Sequence, residues 1–104
     1  MVQLAIRCHP CVPVSADELE RWLEEQVSEL RAAAPHGTVR LSRLIQGRLG
    51  DGLDVGWLVE LELAEGEPLL AGHRLADALR DMRLLGLQPM LLAPHGAWTN
   101  GRAA

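Results

Sequence analysis

A chain of 104 residues with 48% hydrophobic and 23% charged side chains has the composition of one ordinary globular domain. Its net charge of −4 and pI near 5.5 leave it without the basic stripe that neutralises phosphate, so nucleic acid is not expected as a partner. Apolar stretches of a few residues fall far short of the roughly 20 that a membrane helix needs, and no charged segment leading into an apolar one opens the chain. Neither a membrane partner nor a secretory signal is therefore expected, and the cytoplasm is the expected location.

Phe and Tyr are absent, so the core must be built from Leu, Val, Ile and Ala around Trp22 and Trp57. Arg stands at every position where Lys could, a bias that GC-rich coding produces. Two cysteines are too few to staple a small secreted fold.

Val2, Leu4, Ile6 and Cys8 alternate with Gln3, Ala5, Arg7 and His9, which is the period of a half-buried strand ended by Pro10 and Pro13. Ser15 and Glu18 have the spacing of a capping box, and Asp17 and Glu18 add negative charge at the positive end of the helix dipole. Leu19, Trp22, Leu23, Val27, Leu30 and Ala34 then recur at steps of three and four, the stripe of an amphipathic helix that Pro35 and Gly37 terminate.

Val39 and Leu41 open a second strand to about Gln46, in which Arg43 breaks the alternation; Gly47, Gly50, Asp51 and Gly52 read as a flexible link. Val55, Trp57, Val59, Leu61 and Leu63 alternate cleanly with Leu58, Glu60 and Glu62, so a third strand should pair antiparallel with the second. Pro68 suits the first position of a second helix, with Leu75, Leu79 and Met82 buried, Ala71, Ala78 and Leu85 supporting them, and Gly86 as terminator. Pro89 to Ala93 reads as a short apolar fourth strand, and the Gly- and Ala-rich end from His95 to Ala104 is expected to fray.

Two β-α-β units joined by a hairpin predict an α/β chain of the α+β sandwich type. The expected architecture is ferredoxin-like βαββαβ, a four-stranded antiparallel sheet with both helices on one face. Residues 1–94 are expected to form the single domain and 95–104 a tail.

Cys8-His9-Pro10-Cys11 is the segment closest to known chemistry, because two thiols at this spacing can form a redox disulfide or ligate a soft metal. His9 and Val12 both precede proline, which favours extended backbone and holds the thiols apart. Heavy-metal-associated domains carry Cys-x-x-Cys just after the first strand of a similar order, but here Ile6-Arg7 replaces their glycine–methionine lead, and the analogy is one of position. A metal site on Cys8, His9 and Cys11 thus stands against the simpler expectation of a core thiol and an incidental loop thiol.

His36, His73 and His95 should gather at the pole opposite the cysteines as solvated loop residues. The acidic run from Asp17 to Glu29 reads as a solvated helix face, and Arg40, Arg43 and Arg48 as charge on an edge strand or, alternatively, an anion pocket. No catalytic triad, phosphate loop, zinc-protease motif or dinucleotide fingerprint is present, so no catalytic residue and no cofactor are expected.

The uncovered sheet face should carry Ala5, Gly56 and Leu58 beside Arg7, Glu60 and Glu62. This mixed surface suits pairing across a two-fold axis, with Leu58, Ala5 and Glu60 in the interface of a homo-oligomer. The expectation is a non-catalytic binding or interaction module acting as a homodimer, its ligand open; the alternative is a thiol-dependent or metal-handling protein.

Overall fold

A computed structural model describes residues 1–12, 15–49 and 52–92, with only the backbone along 45–49 and 52–54. The elements are β1 (Val2–Pro10), α1 (Ala16–Ala32), β2 (Thr38–Leu49), β3 (Gly52–Leu63), α2 (Arg74–Leu84) and β4 (Leu87–Leu92). The strands form one antiparallel sheet in the order β2-β3-β1-β4, so the fold is of the α+β class. Among the described residues no helix is long and apolar enough to cross a membrane.

Helix α1 begins as its sequence predicts. Ser15 holds an extended backbone, and its hydroxyl accepts a hydrogen bond from the Glu18 amide at 3.2 Å. Leu19, Leu23, Val27 and Leu30 are buried, while Trp22 is half-buried at the margin of the same core. Full burial of each leucine contributes about 1.5–3 kcal/mol, so this stripe docks the helix firmly on the sheet.

The face it docks on follows from the strand period. Val2, Leu4, Ile6 and Cys8 of β1 lie opposite Leu63, Leu61, Val59 and Trp57 of β3, and Val39 and Leu41 of β2 extend the rows. These residues share one core with the buried residues of α1 and with Ala78 and Met82 of α2. Both helices therefore cover the same side of the sheet.

Three expectations need correction. Strands β2 and β3 do not stop short of a glycine-rich link; they pair as far as Leu49 and Gly52, with a register shift between Ile45 and Arg48. The ladder tolerates Gly47 because a bulge absorbs the irregularity.

The second helix does not start at Pro68. Pro68–Leu70 is a single 3-10 turn, after which Ala71 is extended and Gly72 takes a positive φ of 60°, so α2 restarts only at Arg74. Leu69 is buried through this turn, its amide bonded to the Ala33 carbonyl at 2.9 Å, while Ala71, expected to support the helix stripe, is exposed. The fourth strand begins at Leu87, two residues earlier than expected; Ala93 and the segment His95 to Ala104 lie outside the described residues.

Gly86 closes α2 with a φ of 97°, and a Cβ there would collide with the side chain of Val12. Only glycine suits both demands. Its position brings the start of β4 against the end of β1, where the Cys11 amide donates to the Gly86 carbonyl at 2.9 Å.

Candidate functional site

Alternation along β1 separates the residues of the Cys-His-Pro-Cys segment. Cys8 points into the core with no solvent exposure, its Sγ 3.9 Å from Sδ of Met82, and burial pushes its thiol up to about 12. His9 faces the other side of the sheet, where the missing side chain of Gly56 leaves room for its ring. Cys11 is exposed beyond the strand, and its thiol donates to the Gly86 carbonyl at 3.1 Å. Both cysteines are free thiols. The three expected ligands are thus a core thiol, an outer-face imidazole and a surface thiol, and the structure does not bring them together.

At the opposite pole, the backbone amide of His36 donates to Oε1 of Glu67 at 2.7 Å. Glu67 is 2% exposed, and its other carboxyl oxygen has no hydrogen-bond partner. Its role is to satisfy an amide just past the end of α1, where helices leave donors and acceptors unpaired. His73 is exposed immediately before α2, and His95 lies outside the described residues. Among the described residues no group of three or more His, Cys, Asp or Glu stands close enough to hold a metal.

The arginines of β2 do not form one cluster. Arg40 lies on the uncovered face, where Nη2 is 3.3 Å from Glu60 Oε1. Arg43, opposite Trp57, lies on the helix-covered face instead. It reaches α1 at the sheet edge, donating from Nε to Glu20 Oε1 at 2.7 Å and from Nη2 to Asp17 Oδ1 at 3.0 Å. The same Glu20 oxygen accepts from the Trp57 indole at 2.7 Å. Hydrogen bonds from Arg43 and then Trp57 hold the Glu20 carboxyl below the usual carboxylate range, and those acids raise the Arg43 pKa. The side chain of Arg48 lies outside the described residues.

What looked like a broken alternation at Arg43 is therefore the edge position of a regular strand, with a long side chain snorkelling out past the core. Part of the helix acid face is engaged rather than merely solvated. The sequence signal was an arginine at an apolar position, but its partners lie on other elements.

Among the described residues no element covers the other face of the sheet, and this uncovered face is organised in rows. One row reads Arg40, Glu60, Ala5 and Leu92; the next reads Ser42, Leu58, Arg7 and Met90. Leu58, Ala5 and Glu60 are each half-buried, and Met90 is 53% exposed. Sequence reading missed Met90 and Leu92 because β4 reads as apolar on both sides; the pairing of Arg7 with Met90 places them. Arg7 stands between Leu58 and Met90 with its Nε shielded from solvent and without a hydrogen-bond partner.

Beside it, Gln3, Ala5, Glu60 and Glu62, with Thr38 and Arg40, line a depression of about 240 Å³. Residues of this composition can bind a complementary surface, and nothing among them has the arrangement of a nucleophile with its base. No protein-family model matches the chain, and no curated protein does either.

Proposed function

We propose that this protein is a non-catalytic interaction module that acts as a homodimer through its uncovered sheet face, on a ferredoxin-like frame. The frame is supported by the strand order: β3 lies between β1 and β2, and β1 lies between β3 and β4. Each β-α-β unit is therefore split by a strand of the other.

The observation that carries the dimer reading is the row Leu58, Arg7 and Met90 at the middle of an uncovered sheet. A half-exposed methionine and a half-buried leucine flank a guanidinium nitrogen that is already shielded and still unpaired. A surface of this kind gains by being covered, because apolar area leaves water and the buried donor acquires an acceptor.

The sheet edges favour assembly through the face. On β2, Arg31 Nε donates to the Val39 carbonyl at 3.0 Å, filling an acceptor that an added strand would use. On β4, Pro89 has no amide to offer.

Thiol or metal chemistry on Cys8, His9 and Cys11 would require Cys8 to leave the core and His9 to cross the sheet. Light scattering across a concentration series tests the reading. A dimer is expected that Leu58→Glu dissociates; a monomer at high concentration, with Leu58→Glu harmless, would overturn it.

A further inference from the structure

The uncovered face is electrically asymmetric along its strands. From one end to the other, the paired positions of β3 and β1 read Glu62 with Gln3, Glu60 with Ala5, and Leu58 with Arg7, and His9 follows beyond them. Glu60 is matched by Arg40 within the chain. Among the described residues, Glu62 and Arg7 have no oppositely charged group within ion-pair distance. Among the described residues each copy thus presents one unmatched acid, Glu62, and one unmatched base, Arg7, on the same surface.

A two-fold interface sets a patch against itself, so a self-complementary patch is what such an interface needs. The direction of the axis decides whether these charges help. An axis lying between the sheets and parallel to the strands would gather Glu60 and Glu62 of both copies at one end, which is repulsive. An axis between the sheets but perpendicular to the strands reverses strand direction, and the acidic end of each copy then covers the basic end of the other.

We infer that the dimer uses the perpendicular axis, and that Arg7 of each copy enters the depression that Gln3, Ala5, Glu60 and Glu62 of the other line together with Thr38 and Arg40, where Glu60 already takes up the Arg40 charge and Glu62 is left for the incoming one. The inference rests on the dimer reading above. The depression supplies the volume, about 240 Å³, and Glu62 supplies the carboxylate that Arg7 lacks. Leu58 and Met90 flank the entering guanidinium and exclude water from the pair, where a charge-assisted bond is strongest.

Charge reversal tests this geometry separately from the dimer itself. Sedimentation velocity on the full chain is expected to show that Arg7→Glu and Glu62→Arg each raise the dimer dissociation constant roughly tenfold or more at low salt. The double variant, R7E with E62R, is expected to return it close to the wild-type value. Glu62 is exposed, so E62R stays informative even if R7E disturbs folding, and circular dichroism checks each variant. A wild-type dimer indifferent to both reversals, or a double variant no better than the singles, overturns the Arg7–Glu62 pairing and leaves the dimer reading standing. A monomeric wild type overturns both.

Discussion

The indole N–H of Trp57, on a side chain with no solvent exposure, donates to Oε1 of Glu20 at 2.7 Å. Trp57 is the largest buried side chain of a core without Phe or Tyr, and its one polar atom finds its acceptor on α1. Glu20→Ala is expected to leave that donor unsatisfied and to cost about 1–3 kcal/mol in urea unfolding. Acid should act through the same group. The Glu20 pKa is lowered on folding, so its contribution is fully present above the unfolded value and is lost as pH falls through the folded one. Unfolding curves measured downward from pH 5 should therefore lose stability, and Glu20→Gln should flatten that dependence. An unchanged acid profile in Glu20→Gln would count against the assignment.

Cys8 and Cys11 should differ sharply in reactivity. With its pKa pushed up to about 12, the buried Cys8 thiol should resist alkylation until the protein unfolds, whereas exposed Cys11 should react in the folded state. Mass spectrometry after timed alkylation reads both sites. The raised pKa also makes the folded state hold its proton more tightly, so this contribution is intact below the ordinary thiol range and falls as pH rises toward 12. Cys11→Ser keeps a donor for the Gly86 carbonyl and should leave stability within about 0.5 kcal/mol. Stoichiometric zinc or copper in the purified protein, lost in Cys11→Ser, would instead promote the metal reading.

Leu23 has no solvent exposure at the centre of the α1 stripe. Its replacement by Ala should cost about 2–5 kcal/mol, the transfer term plus the cavity left between helix and sheet. A loss below about 1 kcal/mol in denaturant unfolding would mean that the site collapses around the gap.

Glu67, at the start of the 3-10 turn, ties that turn to the segment after α1 by accepting from the His36 amide. Glu67→Ala should strand that amide and cost about 1–3 kcal/mol, while Glu67→Gln keeps an acceptor and should cost clearly less. Equal losses in the two variants would show that the hydrogen bond is not what matters. Native-state hydrogen exchange of the His36 amide reports it directly, with protection retained in the Gln variant and lost in the Ala variant.

The sequence by itself determined what depends on neighbours along the chain. Ser15 and Glu18 mark the start of α1, the step of three and four from Leu19 to Leu30 marks its buried side, and the period of two from Val55 to Leu63 marks which face of β3 goes inward. Alternation alone also sent Cys8 inward and Leu58 outward. These features are legible because helix and strand periods are local properties of the backbone.

Only the tertiary structure decided what depends on residues far apart in the chain. Arg43 reads as an interruption until β2 is placed at the sheet edge beneath the N-terminal acids of α1. Glu67 meets the His36 amide only because the end of α1 is brought over it, and Pro68 reads as a helix start until Leu69 is drawn into the core below Ala33. Met90 becomes part of the outer face only through its pairing with Arg7. In each case the place of the side chain is set by a partner on another element. Local periodicity carries no information about that partner, because chain folding, not spacing, sets the distance between them.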